Sequence, residues 1–116
     1  MTFRHALAAA ILSLAAGPAL AQEGAELFAM QCKMCHNPAS TVMAPSLVGV
    51  AGARIAARPD FTYSPALKAK DGAWTDVNLD AFLKAPMAFA PGTRMPVSVS
   101  DDAARAAIIA YLHTLK

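Results

Sequence analysis

Charge is scarce in this chain. Asp, Glu, Lys and Arg make up 16% of its 116 residues, and the formal net charge is only +2 at pH 7. So small an excess leaves no electrostatic footprint for nucleic acid or an anionic lipid surface. Any docking preference has to come from local patches. Cysteine is scarcer still, with two residues, Cys32 and Cys35. A bridge between them would close a tiny loop and brace little else, so a disulfide framework is excluded. Past residue 21 no apolar run reaches the roughly 18 residues that a membrane-spanning helix needs. There are no internal repeats, no strand pattern of convincing length and no βαβ alternation.

The N-terminus carries much of the apolar character. Met1 to Ala21 starts with Arg4 and His5, runs through an apolar stretch from Ala6 to Ala16 and ends in Ala19-Leu20-Ala21. That is the layout of a secretory signal peptide with an A-x-A-like cleavage site, and its core is short for a bilayer anchor. Cleavage after Ala21 is expected. It leaves a single domain over residues 22–116, formal charge about +1 once Arg4 is lost, in the periplasm. A domain this small is hard to stabilise with side chains alone; a disulfide, a metal or a large cofactor usually assists.

What the chain does contain is Cys32-Lys33-Met34-Cys35-His36. C-x-x-C-H is the pattern of c-type haem attachment. Two thiols can add to the two vinyl groups of one haem, and the adjacent histidine is then held against the iron. The competing readings of C-x-x-C fit less well. A thioredoxin-like pair needs a βαβ setting and leaves His36 unexplained. A tetrahedral zinc site needs four ligands, and the only other histidine past the leader is His113, near the C-terminus.

The rest reads as helices joined by long loops. Glu23 to about Met34 has a helical pattern, with Glu23 and Glu26 in its first turn and Asn37-Pro38 breaking it. Residues 37–60, with Pro38, Pro45, Gly49, Gly52 and Pro59, form a loop long enough to require a task, such as wrapping a ligand. Short helices are expected over Ser64–Lys70, with Pro65 first, and over Asn78–Ala85, with Asn78 as cap and Pro86 as stop. The clearest helix follows Ser100, its expected N-cap. Its apolar stripe is Ala104, Ala107, Ile108, Tyr111, Leu112 and Leu115. The expected fold is all-α: a small, loop-rich domain with its first and last helices packed together around one covalent haem.

His36 supplies one axial nitrogen. The second axial position can take a Met thioether or a second His, or stay open. His113 reads as a helix-terminal residue. Met34 lies inside the attachment loop, Met30 reads as core, and Met43 follows His36 too closely to pass round a haem edge. Met87 and Met95 remain. Met95 has a modest advantage from its place in the irregular Pro91-Gly92-Thr93-Arg94-Met95-Pro96 segment.

The chain resembles the class I cytochromes c of the mitochondrial and bacterial c2 type across nearly all of residues 22–116. The resemblance rests on Gly24 and Phe28, the attachment motif, Pro45-Ser46-Leu47 with Gly49, Phe61-Thr62-Tyr63, Trp74, Leu79 with Leu83 and Pro86, Pro91 to Met95, and Ala110-Tyr111-Leu112. It implies Met95 as second axial ligand, and the Pro45 carbonyl as acceptor for the free imidazole N–H of His36. It also implies Tyr63, Trp74 and Thr93 as contacts of the haem propionates, and a close crossing of the terminal helices at Gly24. Two positions depart from the family. Phe82 stands where many relatives have a tyrosine that touches the Met sulfur, and Arg54 is displaced by one residue from the arginine that pairs a propionate. Lys33, Lys84 and Arg94 form at most a modest basic rim.

With both axial positions filled there is no open site for a substrate, so the implied role is one-electron transfer rather than catalysis. The implied partners dock transiently at the haem edge: a quinol–cytochrome c reductase-type complex, a terminal oxidase, a reaction centre or a periplasmic dehydrogenase. No nucleic acid and no membrane span are expected after processing, and the chain is expected to be a monomer. The alternatives are a haem subunit dedicated to one enzyme complex, and a haem sensor or enzyme with a labile sixth ligand.

Overall fold

The computed structural model describes residues 16–116. Its helices are α1 (Ala16–Gln31), α2 (Pro65–Lys68), α3 (Asp76–Lys84), α4 (Pro86–Phe89) and α5 (Asp102–Leu112). Among the described residues the only β pairing is an isolated antiparallel bridge, Arg54 to Ala73, so the all-α expectation holds. The basic start and most of the apolar stretch of the expected leader lie outside the described residues.

α1 begins well before the expected Glu23. The alanine-rich segment ahead of it favours helix, and Pro18 is tolerated because it falls in the first turn. Past Gln31 the chain tightens into turns instead of stopping. Cys32 N–H donates to Phe28 O at 2.8 Å, and His36 N–H donates to Cys32 O at 2.9 Å. The attachment motif is therefore carried rigidly on the end of α1. Met30, expected in the core, is 74% exposed. The buried face of α1 runs through Gly24, Phe28 and Cys32 at i, i+4 spacing, and Met30 sits about 200° round from Phe28.

α1 packs along α5, and glycine makes the approach possible. A Cβ on Gly24 would lie 1.8 Å from the Ala107 carbonyl oxygen. Beside this crossing the Phe28 and Tyr111 rings meet at 5.1 Å between centroids, tilted by 55°. α5 buries Ala107, Ile108, Ile109 and Leu112, close to the expected stripe.

Two helix starts differ from expectation. Thr75, not Asn78, caps α3 by accepting from Asn78 N–H at 3.2 Å. Asn78 lies a turn inside, where its amide donates to Ala73 O at 2.8 Å and braces the preceding loop. Asp101, not Ser100, caps α5, accepting from Ala104 N–H at 2.8 Å, while the Ser100 carbonyl accepts from Arg105. Pro86 ends α3 as expected and then opens the extra turn α4.

Candidate functional site

The helices and loops enclose a cavity of about 300 Å³ whose walls are almost entirely apolar. Its lining includes Cys32, Cys35 and His36 from the end of α1, and Pro45 from the long loop. Tyr63, Trp74, Thr93 and Met95 come from segments far apart in sequence. All eight residues singled out by sequence thus share one cavity. Phe28, Ile108 and Leu112 from the α1–α5 pair, and Leu79, Phe82 and Leu83 from α3, complete much of the apolar wall.

His36 is oriented by its backbone partner. Nδ1 lies 2.9 Å from Pro45 O. A carbonyl can only accept, so Nδ1 carries the proton and Nε2 keeps a lone pair free to bind a metal. Burial pushes the His36 pKa below its usual value, only partly offset by the Pro45 bond, and so favours the neutral ring a ligand needs. Pro45 is itself held by Ser46, which is 1% exposed. The Ser46 hydroxyl donates to Pro38 O at 2.8 Å and accepts from Val48 N–H at 3.2 Å, while Ser46 N–H donates to Ser40 Oγ at 2.8 Å. Pro45-Ser46-Leu47 was legible as a motif, but the bracing role of Ser46 was not, because its partners are set by loop geometry.

Burial pushes the Cys32 thiol up to about 11. What argues against the thioredoxin-like reading is the fold: among the described residues there is no βαβ unit around the cysteines, only helices and one isolated bridge.

The methionines separate by position. Met95 is half-buried, packs on the core and lines the cavity. Met43 also touches the cavity but is 72% exposed. Met30, Met34 and Met87 are exposed and outside the lining. His113 also lies outside it, and its Nε2 is 2.7 Å from Asp76 Oδ1.

Trp74 and Thr93 are buried, and Tyr63 is half-buried with its phenol pKa raised chiefly by burial. Trp74 stacks on Phe89 at 5.7 Å and meets Phe82 at 5.2 Å. Phe82 thus presents a ring without a hydroxyl to the cavity. Arg54 is exposed and outside the lining. Of the three rim cations, Arg94 alone lines the cavity; its guanidinium donates to Thr62 O and lies over the Phe61 ring.

Sequence reasoning also passed over Arg105. It is 2% exposed, three residues before Ile108 and seven before Leu112, on the buried side of α5. A charged residue at that spacing was the available signal.

The donor set fits a haem. Two cysteines and an imidazole stand on one turn, a thioether comes from a distant segment, and an apolar cavity floored by aromatic rings lies among them. The profile of the family described as Cytochrome c matches residues 21–116. The cytochrome c-type cyt cy of Rhodobacter capsulatus is 42% identical over 97 residues, covering 82% of this chain and 49% of that protein. Cytochrome c2 of Rhodomicrobium vannielii is 36% identical over 96 residues, covering 79% of this chain and 76% of the relative. This chain therefore spans about half the length of some curated relatives and most of others. The solved structure of cytochrome cH from Methylobacterium extorquens superposes with a TM-score of 0.76 at 36% identity, covering 81% of this chain and 97% of that one. The chain belongs to the cytochrome c family, with the single covalently bound haem c that membership implies.

Proposed function

We propose that this protein is a soluble one-electron carrier, not an enzyme, whose haem c is bound through Cys32 and Cys35 with His36 and Met95 as axial ligands. The observation that carries the reading is that one apolar cavity is lined by both cysteines, a histidine with Nε2 free, and a half-buried methionine. When bound, the haem supplies an iron that changes by one electron. The chain's own residues do the remainder. Pro45 holds His36 in the Nδ1–H tautomer and raises its basicity. Thioether ligation by Met95 raises the potential relative to a second histidine. Tyr63, Trp74 and Thr93 supply polar groups to a largely apolar wall, where the propionates can be received.

The partners are redox proteins that dock briefly at the cavity mouth: a quinol–cytochrome c reductase-type complex, a terminal oxidase, a reaction centre or a periplasmic dehydrogenase. Residues 1–21 are read as a cleaved leader and 22–116 as a single periplasmic domain acting as a monomer; the family match over residues 21–116 supports the extent of that domain. The test is the optical spectrum of the oxidised holoprotein. The band arising from Met-sulfur ligation is expected to vanish in Met95→Ala and survive in Met87→Ala. The reverse pattern, or no c-type signal in a pyridine haemochrome assay, overturns the proposal.

A further inference from the structure

The loop that carries Pro45 is gripped from outside the cavity by an arginine that does not line it. Arg58 is half-buried, and the exposed Asp60 carboxylate holds its guanidinium by two bonds. Nε donates to Oδ1 at 3.0 Å and Nη2 to Oδ2 at 2.9 Å. The third nitrogen, Nη1, donates to Val48 O at 3.1 Å. That carbonyl belongs to the middle peptide of a turn closed by Val50 N–H to Leu47 O at 3.1 Å, with Gly49 at φ +74°. The N–H of the same peptide, on Gly49, donates to Leu115 O at 2.7 Å. One peptide earlier, Val48 N–H donates to Ser46 Oγ, and Ser46 braces the carbonyl that orients His36. A surface ion pair is thus joined to the imidazole by a continuous run through Val48, Ser46 and Pro45.

From this run we infer that Arg58 is a positioning residue for His36. It keeps Val48 N–H on the Ser46 hydroxyl, and so keeps Pro45 O on Nδ1. The physical grounds are geometric. Two guanidinium edges fixed by one carboxylate aim the remaining nitrogen, so the Val48 contact needs no further ordering of the side chain. A lysine is a point donor and cannot hold Asp60 by two bonds while reaching Val48 O. The Leu115 bond grips the same peptide from its other pole, but it ties the turn to the end of the chain. Only the arginine ties the turn back to residues 58–60. With a loosened Pro45 contact, His36 is a weaker donor to oxidised iron, and the reduction potential rises. Loss of a cation through its field alone acts the other way: it eases oxidation and lowers the potential. Sign therefore separates positioning from simple charge. The inference rests on His36 as an axial ligand.

The experiment uses the haem-loaded protein. Three readouts are compared: the reduction potential, the exchange rate of the His36 Nδ1 proton by NMR in the reduced state, and the global midpoint in guanidinium chloride. Arg58→Lys keeps the charge and loses the fork. It is expected to raise the potential and to speed the exchange roughly three- to tenfold, as loss of one hydrogen bond predicts, with the midpoint little changed. Arg58→Gln should match it in exchange, with a potential below that of Arg58→Lys by the field of the missing cation. In a Ser46→Ala background Arg58→Lys should add little, because both act on the same carbonyl. An unchanged potential or unchanged exchange in Arg58→Lys overturns the inference and assigns the turn to Leu115. So do changes that only follow a fall in the midpoint, and so does full additivity with Ser46→Ala. A parent protein without a c-type signal overturns the reading of the site as well. That outcome is recognised separately because it shows with Arg58 intact.

Discussion

At the scale of the residue, the site depends on one hydroxyl that never touches it. Ser46 holds the turn whose carbonyl orients His36, through three hydrogen bonds in an almost fully buried position. Ser46→Ala keeps the backbone donor but strands Pro38 O and Val48 N–H. The expected cost is about 1–2 kcal/mol in a denaturant titration. The Pro45 contact should loosen with it, and an imidazole without its Nδ1 acceptor is a weaker donor to oxidised iron. The reduction potential should therefore rise relative to the parent. A Ser46→Ala protein with unchanged stability and potential would show that Pro45 is held by the chain around it.

At the scale of the element, the terminal helices approach until backbone meets backbone. The Gly24 position has no room for a Cβ, which would meet the Ala107 carbonyl oxygen at 1.8 Å and its carbon at 2.5 Å. Neither atom belongs to a flexible side chain, so the helices must part. Gly24→Ala is expected to destabilise by about 3 kcal/mol through overpacking. The gain of roughly 1 kcal/mol in helix propensity is too small to offset it. Equilibrium unfolding monitored by circular dichroism checks this. Because α1 ends in the attachment turn and α5 lends Ile108 and Leu112 to the cavity wall, the damage should also broaden the haem spectrum.

At the scale of the whole molecule, the cavity is where a larger protein would have its core. The buried set of Phe28, Cys32, Leu67, Trp74, Leu79, Leu83, Ile108 and Leu112 lines the cavity instead of closing over it. A domain of this size has little apolar area to spare for such a space. Covalent haem held there by Cys32 and Cys35 would supply the apolar surface that the terminal helices and the loops otherwise lack at the centre. The Cys32→Ser, Cys35→Ser double variant, which cannot form either thioether, should lose most of its helical signal and its cooperative thermal transition. A sharp transition without haem would mean that the protein chain supplies a sufficient core by itself.

The features readable in the sequence were those set by neighbours along the chain. C-x-x-C-H encodes its chemistry in five consecutive residues, and the α5 stripe and the prolines that bound the short helices are local patterns of the same kind. The family resemblance added roles for distant residues, and the family itself is shown by the matches. Local patterns could not choose between Asn78 and Thr75, or Ser100 and Asp101, as caps. Either residue can accept from a backbone N–H, and the choice falls to which carbonyls and donors the rest of the fold has already engaged. They likewise misplaced Met30, since apolar character does not say which side of a helix meets a partner. Whether Met95 or Met87 faces the cavity, why Gly24 has no side chain, and what a buried Arg105 holds are relations between segments tens of residues apart. They exist only once the chain has closed on itself, because distance in space, not order along the chain, determines which groups can touch.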